Sequence, residues 1–404
     1  MKKFVKMSLI AAIAVAGTTA SAQPLTEAIK NVDVSGTMVY RYNDYQDDVK
    51  QTGTNHSNTV NHYKIGLNLK SKVNDDVTAN TRFVIGSQDA SANFGKLDTQ
   101  SNGDTNLDVE LTNANFAYTG IANTTVIVGK QGLTTPWTVA VDASGNEQTG
   151  TGILALTTVG PVTIAGAYFN QTNLGDSGDA QSTFGKKSTN SDAVNDAIGQ
   201  KFGSKDIYTV GVMGKVGPVA LDAWYLDMDN VFDTYTLGAN ASFDLDAVTL
   251  GGDIRYTSLD LDGSSDDNDL LQLTVTAKAG IFDAKVAYAT TDNDGGLVAL
   301  DTDATTSISA WSVDANGKAD ADYWQVRLGF QVLPSLNISA NYANVDYSTA
   351  TSNDVEEEEY YAQFNYSMSK NLSAYLRYGQ YTKDTGSTEN NDSTRGRIHV
   401  QYKF

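Results

Sequence analysis

The chain has 404 residues, with 48 acidic against 28 basic side chains, a formal net charge of −20 and no cysteine. The acid surplus argues against nucleic acid, whose binding needs basic patches, and the missing cysteines exclude disulfides and thiolate chemistry. With 35 glycines and 5 prolines, the composition suits many strands joined by turns.

Residues 1–22 read as an export leader: Lys2, Lys3 and Lys6, an apolar stretch Leu9–Val15, and a small-residue cleavage site Ala20-Ser21-Ala22. Cleavage after Ala22 leaves 23–404 as a single domain. No later apolar run is long enough for a membrane-spanning helix.

From Asn31 onward, polarity alternates with the period of two that strands require. Val32, Val34, Met38, Tyr40 and Tyr42 share one face and Asp33, Ser35, Thr37 and Arg41 the other. The pattern predicts about eighteen strands, over 31–43, 60–72, 76–88, 107–119, 123–130, 151–159, 161–170, 204–216, 218–227, 232–244, 246–258, 268–280, 281–291, 320–332, 335–347, 356–369, 371–382 and 393–404. Those at 107–119 and 123–130 alternate least. Short turns separate alternate pairs, at Val73–Asp75, Gly160, Gly217 and Pro334, while long polar connections such as Gln171–Gly203 and Asp292–Ala319 lie between them. Segregated loop lengths describe an all-β, antiparallel transmembrane barrel. In hydrocarbon an open strand edge leaves backbone groups unpaired, so the first strand must pair with the last. A barrel this wide encloses water, which explains the basic residues on the inward face: Arg41, Lys64, Arg82, Arg255, Arg327, Arg377, Arg395 and Arg397. Tyr40, Tyr42, Tyr63, Tyr256, Trp324, Tyr360, Tyr402 and Phe404 are expected in aromatic girdles at the two lipid–water boundaries.

The stretch Val126–Leu156 departs from this rhythm. About twenty polar and small residues, with Trp137, Asp142 and Glu147, lie between a pair of apolar strands, and so long a segment without helical periodicity is rarely a plain connector. It is expected to fold into the lumen as a constriction loop. Asp142, Glu147 and Trp137 then line the narrowing, facing Arg41, Arg82, Arg327, Arg377 and Arg397 on the wall. Opposed charges across such an eyelet bias permeation without binding a solute tightly.

Other motifs weigh less. His56, His62 and His399 form no Ser-His-acid grouping in local sequence, and no enzyme is expected. Asp260-Leu261-Asp262-Gly263 and Asp292-Asn293-Asp294-Gly295 lack the spacing of a calcium hand and read as turns. Asp142 is the better candidate metal ligand. The run Glu356–Glu359 reads as a solvated rim that, with the acids of 260–269 and 292–320, makes the outer mouth negative.

Three stretches carry a resemblance: Pro24–Gly36 with Tyr40-Arg41-Tyr42, Val128-Gly129-Lys130-Gln131 with Leu133, Trp137-Thr138 and Asp142, and the end Val400-Gln401-Tyr402-Lys403-Phe404. They resemble the Campylobacter-type major outer membrane porins. The resemblance implies an eighteen-stranded homotrimeric general diffusion porin, somewhat cation-selective, with calcium near the constriction. Asp142 matches the family's acid after the Trp-Thr pair, at a spacing one residue shorter. The aromatic end, Phe404, resembles the signal read by the barrel-assembly machinery, and lipid and lipopolysaccharide are the expected surroundings. The rival readings are a substrate-specific channel and a barrel-based surface adhesin.

Overall fold

The computed structural model describes residues 32–47, 58–86, 92–97, 108–180, 202–262, 267–349 and 352–404. The leader at 1–22, the segment Pro24–Asn31 and His56 lie outside the described residues.

Nineteen strands form one sheet. They are β1 (Val32–Asp47), β2 (Asn58–Lys72), β3 (Val77–Gly86), β4 (Gly95–Lys96), β5 (Asp108–Ile121), β6 (Thr124–Gly132), β7 (Thr149–Val159), β8 (Val162–Thr172), β9 (Ile207–Val216), β10 (Val219–Met228), β11 (Phe232–Leu245), β12 (Val248–Leu261), β13 (Asp267–Ala279), β14 (Phe282–Thr291), β15 (Ala319–Leu333), β16 (Leu336–Thr349), β17 (Ser352–Ser367), β18 (Leu372–Thr385) and β19 (Thr388–Lys403). Eighteen of them make a closed antiparallel ring in chain order, and β1 pairs with β19 as the sequence requires. The extra strand β4 pairs with β2 at His62 and Tyr63, beyond the point where β3 leaves the ladder.

The two faces follow the period of two. Met38 is 52 % exposed on the outside, whereas its neighbour Val39 is 1 % exposed within. The outer face carries two aromatic belts. Toward the long-loop rim, Tyr288 packs on Trp324 and Tyr168 on Tyr208; toward the short-turn rim, Phe282 packs on Phe330 and Tyr402 on Phe404. Such girdles belong at the lipid–water boundaries. Tyr63, expected in a girdle, is instead buried: its ring lies against Gly95, and its hydroxyl donates to the Gly86 carbonyl.

Turns on one rim are all short, among them Ala122–Asn123, Gly160–Pro161 and Gly280–Ile281. Among the described residues, the opposite rim carries the long connections 133–148 and 292–318, but also short ones at 229–231 and 386–387. The acidic run Glu356–Glu359 is not a free rim. It lies within β17, so alternation sends Glu357 and Glu359 into the buried interior while Glu356 and Glu358 face out.

A backbone clasp closes the seam. Gly36 N–H donates to the Phe404 carbonyl at 2.8 Å, and Phe404 N–H donates to Gly36 at 3.0 Å. The Phe404 ring occupies the space a side chain at Gly36 would need, and the Gly66 carbonyl blocks the rest. Gly36→Ala therefore overpacks the seam and is expected to destabilise the barrel by about 1–3 kcal/mol. Phe404→Ala is expected to lower the folded yield less. Heat-modifiable gel mobility checks both, and equal folded yields for Gly36→Ala and wild type would refute the clasp.

Candidate functional site

The inward loop is positioned by the wall that releases it. Gly129, near the end of β6, takes a left-handed φ of 123°, and a Cβ there would strike the Ala114 carbonyl. From Leu133 to Gln148 the chain leaves the wall, crosses the lumen and bonds to β1, β2 and β3. Glu147 receives Arg82 through two bonds, of 2.7 and 2.5 Å, and lies 3.5 Å from Lys64 Nζ. Lys64 Nζ also donates to the carbonyls of Asp142 (2.5 Å) and Gly145 (2.8 Å), and Arg41 Nη1 donates to the Ser144 carbonyl (3.0 Å). Three basic residues on adjacent strands thus grip the loop tip.

Several expected lining residues do not line the passage, and Arg82 is buried with Glu147 in their ion pair. Glu147 is fully buried in its ion pairs. Trp137 is fully buried in an apolar cluster with Leu133, Phe169, Leu226, Phe232 and Leu300. Its role is to seat the loop against β8–β12. Asp142 is also buried, just under the loop surface. Arg327 lies apart from the loop, ion-paired with Asp283 and bonded to Asn337. Arg377 and Arg397 sit beside Trp311 of another loop.

That other loop, 292–318, was expected at the outer mouth. It too folds inward, because Leu297-Val298-Ala299-Leu300 supplies an apolar run that buries completely. Its backbone bonds the first loop: Leu300 N–H to the Trp137 carbonyl at 2.9 Å and Thr306 N–H to Pro136 at 3.0 Å. Gln148 Nε2 donates to the Leu300 carbonyl at 2.7 Å. The two inward glutamates of β17 hold its far end. Glu359 accepts the N–H groups of Trp311 (2.6 Å) and Ser312 (3.0 Å), and Glu357 pairs with Lys318 at 2.9 Å. At the loop's start, Asp292 Oδ1 accepts the N–H groups of Asp294 and Gly295, as the turn reading of that motif requires.

Where the loops meet, Asp142, Asp179 and Asp301 each offer a carboxylate oxygen within 4.8 Å of the others. Backbone N–H groups orient them: Ser144 to Asp142 Oδ1 (2.6 Å), Asn146 to Asp179 Oδ2 (3.1 Å) and Asp303 to Asp301 Oδ1 (2.8 Å). The second oxygens of Asp142 and Asp301 are buried without a partner among the described residues. Burial raises Asp142 to about 6 against the pull of Lys64, and burial plus Asp179 raises Asp301 to about 8. Asp179 is also pushed up by burial. Buried carboxylates that converge on one point, with oxygen as the only donor, fit a hard divalent cation of the calcium type. Of these three, only Asp142 was marked from sequence. Asp179 and Asp301 come from separate loops, and no spacing links them.

The sequence profile of the family described as Campylobacter major outer membrane protein matches residues 1–404. The chain belongs to that family. It is accordingly an outer-membrane β-barrel. It is similar in fold to a BenF-like porin from Pseudomonas fluorescens Pf-5, at TM-score 0.72 and 16% identity, with 93% of this chain and 99% of that chain covered. It is also similar to OccK2 (OpdF) of Pseudomonas aeruginosa, at TM-score 0.71, 15% identity and 93% and 98% coverage. The outer membrane protein opdK of the same organism gives TM-score 0.70, 14% identity and 92% and 98% coverage. No curated protein sequence matches the chain. At these identities the likeness is one of fold.

Proposed function

We propose that the protein is a general diffusion porin, through which ions and small hydrophilic solutes pass passively with a mild preference for cations. The observation that carries this reading is the loop 133–148 gripped by Arg41, Lys64 and Arg82 on the inner wall of an eighteen-stranded ring, a barrel wide enough to enclose water. Passage through such a barrel needs no reaction. The preference for cations draws on the acids of the inward loops and on the net charge of −20.

Calcium, in this reading, is held by Asp142, Asp179 and Asp301. It supplies charge neutralisation and a crosslink among three loops, fixing the width of the passage. The working unit is a homotrimer seated in lipid and lipopolysaccharide, inserted by the barrel-assembly machinery.

Planar-bilayer recording under a salt gradient is the test. Steady conductance steps and a reversal potential favouring cations are expected. Asp142→Asn should move that potential toward zero, because it removes a loop acid from the narrowest region. Absence of stepwise conductance would sink the porin reading, and an unmoved potential would remove Asp142 from the selectivity assignment. A second reading, a channel with a preferred solute, is favoured by one observation: a group of wall arginines that form no salt bridge among the described residues.

A further inference from the structure

Among the described residues, four arginines of the lumen wall make no salt bridge or hydrogen bond to a carboxylate, although Asp142 lies within electrostatic reach of Arg41 and Glu357 and Glu359 within reach of Arg395. Arg41 lies on β1, Arg377 on β18, and Arg395 and Arg397 on β19. Register places Arg377 directly opposite Arg397 and Arg41 directly opposite His399. Arg41 donates to His399 Nδ1 (3.3 Å) and the Ser144 carbonyl (3.0 Å), Arg377 to Gln363 (2.7 Å), and Arg397 to Asn43 (2.7 Å) and Tyr45 (2.9 Å). Arg395 donates to the hydroxyls of Ser393 (2.9 Å) and Ser312 (2.5 Å). Every one of these acceptors is neutral. Arg41 is 6 % exposed, and its Nη2 is buried with no partner among the described residues.

This is unusual in a chain with 48 acids for 28 bases. Like charges directly opposite on neighbouring strands repel. Aromatic faces soften the repulsion: Trp311 lies 5.0 Å from Arg377 and 5.5 Å from Arg397, and Tyr361 lies 5.0 Å from Arg377. A ring face attracts a cation but does not neutralise it. Next to this group is a cavity of about 220 Å³ between Ala143–Ser144 on the loop tip and Asn365, Tyr375, His399 and Gln401 on the wall. Arg41 bonds two of its lining residues, Ser144 and His399. Cationic surplus, a buried unsatisfied donor and a polar cavity thus coincide on one side of the passage.

We propose that Arg41, Arg377 and Arg397 form a subsite for the carboxylate of a small organic acid in transit, with the cavity beside His399 and Tyr375 receiving the rest of the solute. It deepens the second reading above and takes only its setting from the channel. Planar guanidinium forks match a planar carboxylate and accept it through paired bonds. Binding must be weak enough for release, as conduction through any selective pore requires.

Isothermal titration of the full chain in detergent with succinate tests this, with 1,4-butanediol as the neutral analogue and inorganic phosphate alongside. Succinate is expected to bind saturably and the diol not at all. Arg377→Gln/Arg397→Gln is expected to weaken succinate at least about tenfold. Arg377→Lys/Arg397→Lys, which keeps charge but loses the fork, should fall between. Arg327→Gln, on a separate arginine paired with Asp283, should bind as wild type. Heat-modifiable mobility identifies folded variants, and the lysine pair keeps the test alive if the glutamine pair fails to fold. Equal heats for succinate and diol, unaltered binding in both double variants, or phosphate binding as tightly as succinate would overturn the assignment. Titration does not depend on conductance. Normal binding by a chain that forms no channel would therefore refute the porin reading alone, and a conducting chain without binding would refute the subsite alone.

Discussion

Glu147→Gln is expected to destabilise the folded constriction by about 3–5 kcal/mol and to enlarge the single-channel conductance. Glu147 is fully buried, and its two partners, Arg82 and Lys64, have side chains only 3 % exposed. The amide keeps the shape but removes the charge that two buried cations share. Breaking a buried pair from one side leaves uncompensated charge in a poorly solvated place, which is the expensive case. The cheapest relief is for the loop to lift so that water reaches Arg82 and Lys64. The loop's remaining bonds from Lys64 and Arg41 go to carbonyls of Asp142, Gly145 and Ser144, and all three leave with it. Denaturant midpoints and bilayer recording check the two halves of this expectation. A variant with wild-type midpoint and conductance would show that the Glu147 contacts do not hold the loop.

The second large effect concerns metal and pH together. Saturating calcium is expected to stabilise the protein by about 3–4 kcal/mol when present at a few hundred times its dissociation constant. Without metal, burial holds Asp142 at about 6 and Asp301 at about 8, above the ordinary 3.8. In that window the folded chain binds more protons than the unfolded one. Stability therefore falls as pH rises from about 4 through about 8. Calcium is expected to remove the penalty by supplying positive charge to the same oxygens, and its binding to tighten over the same range as protons leave. Asp301→Asn should abolish the calcium response yet raise the metal-free melting temperature near pH 8. Thermal melts with calcium and with chelator, at several pH values, decide this. A calcium response that survives Asp301→Asn would place the ion elsewhere.

The wall was legible in the sequence because lipid on one side and water on the other enforce a period of two. All eighteen wall strands stand where alternation placed them, including 107–119 and 123–130, where it was faint. Strand ends on the long-loop side were less legible. β17 begins at Ser352 and β19 at Thr388, within polar stretches that look like loop. The strand predicted over 356–369 already held Glu357 and Glu359, but reading the four acids together as a rim hid the alternation that turns these two inward. The first inward loop was visible as a break in rhythm. The second carried its own signal, Leu297–Leu300 and Trp311 inside an acidic connection, but the surrounding aspartates suggested a solvated mouth. Asp142 was recognisable from its neighbours. Asp179 and Asp301 join it only through the way three loops pack, which no local pattern encodes. Charge alone also set Glu147 and Arg82 facing each other across water, whereas in the structure they touch.

The clasp between Gly36 and Phe404 has a consequence for when the molecule comes into being. The ladder between β1 and β19 joins Arg41 to His399, 358 residues distant along the chain. Hairpins can zip as each strand emerges, but the ring stays open, with two unsatisfied edges, until β19 arrives. Export and folding are thereby forced into sequence: the polypeptide must be delivered whole, and kept from pairing with its neighbours, before its first strand finds its last.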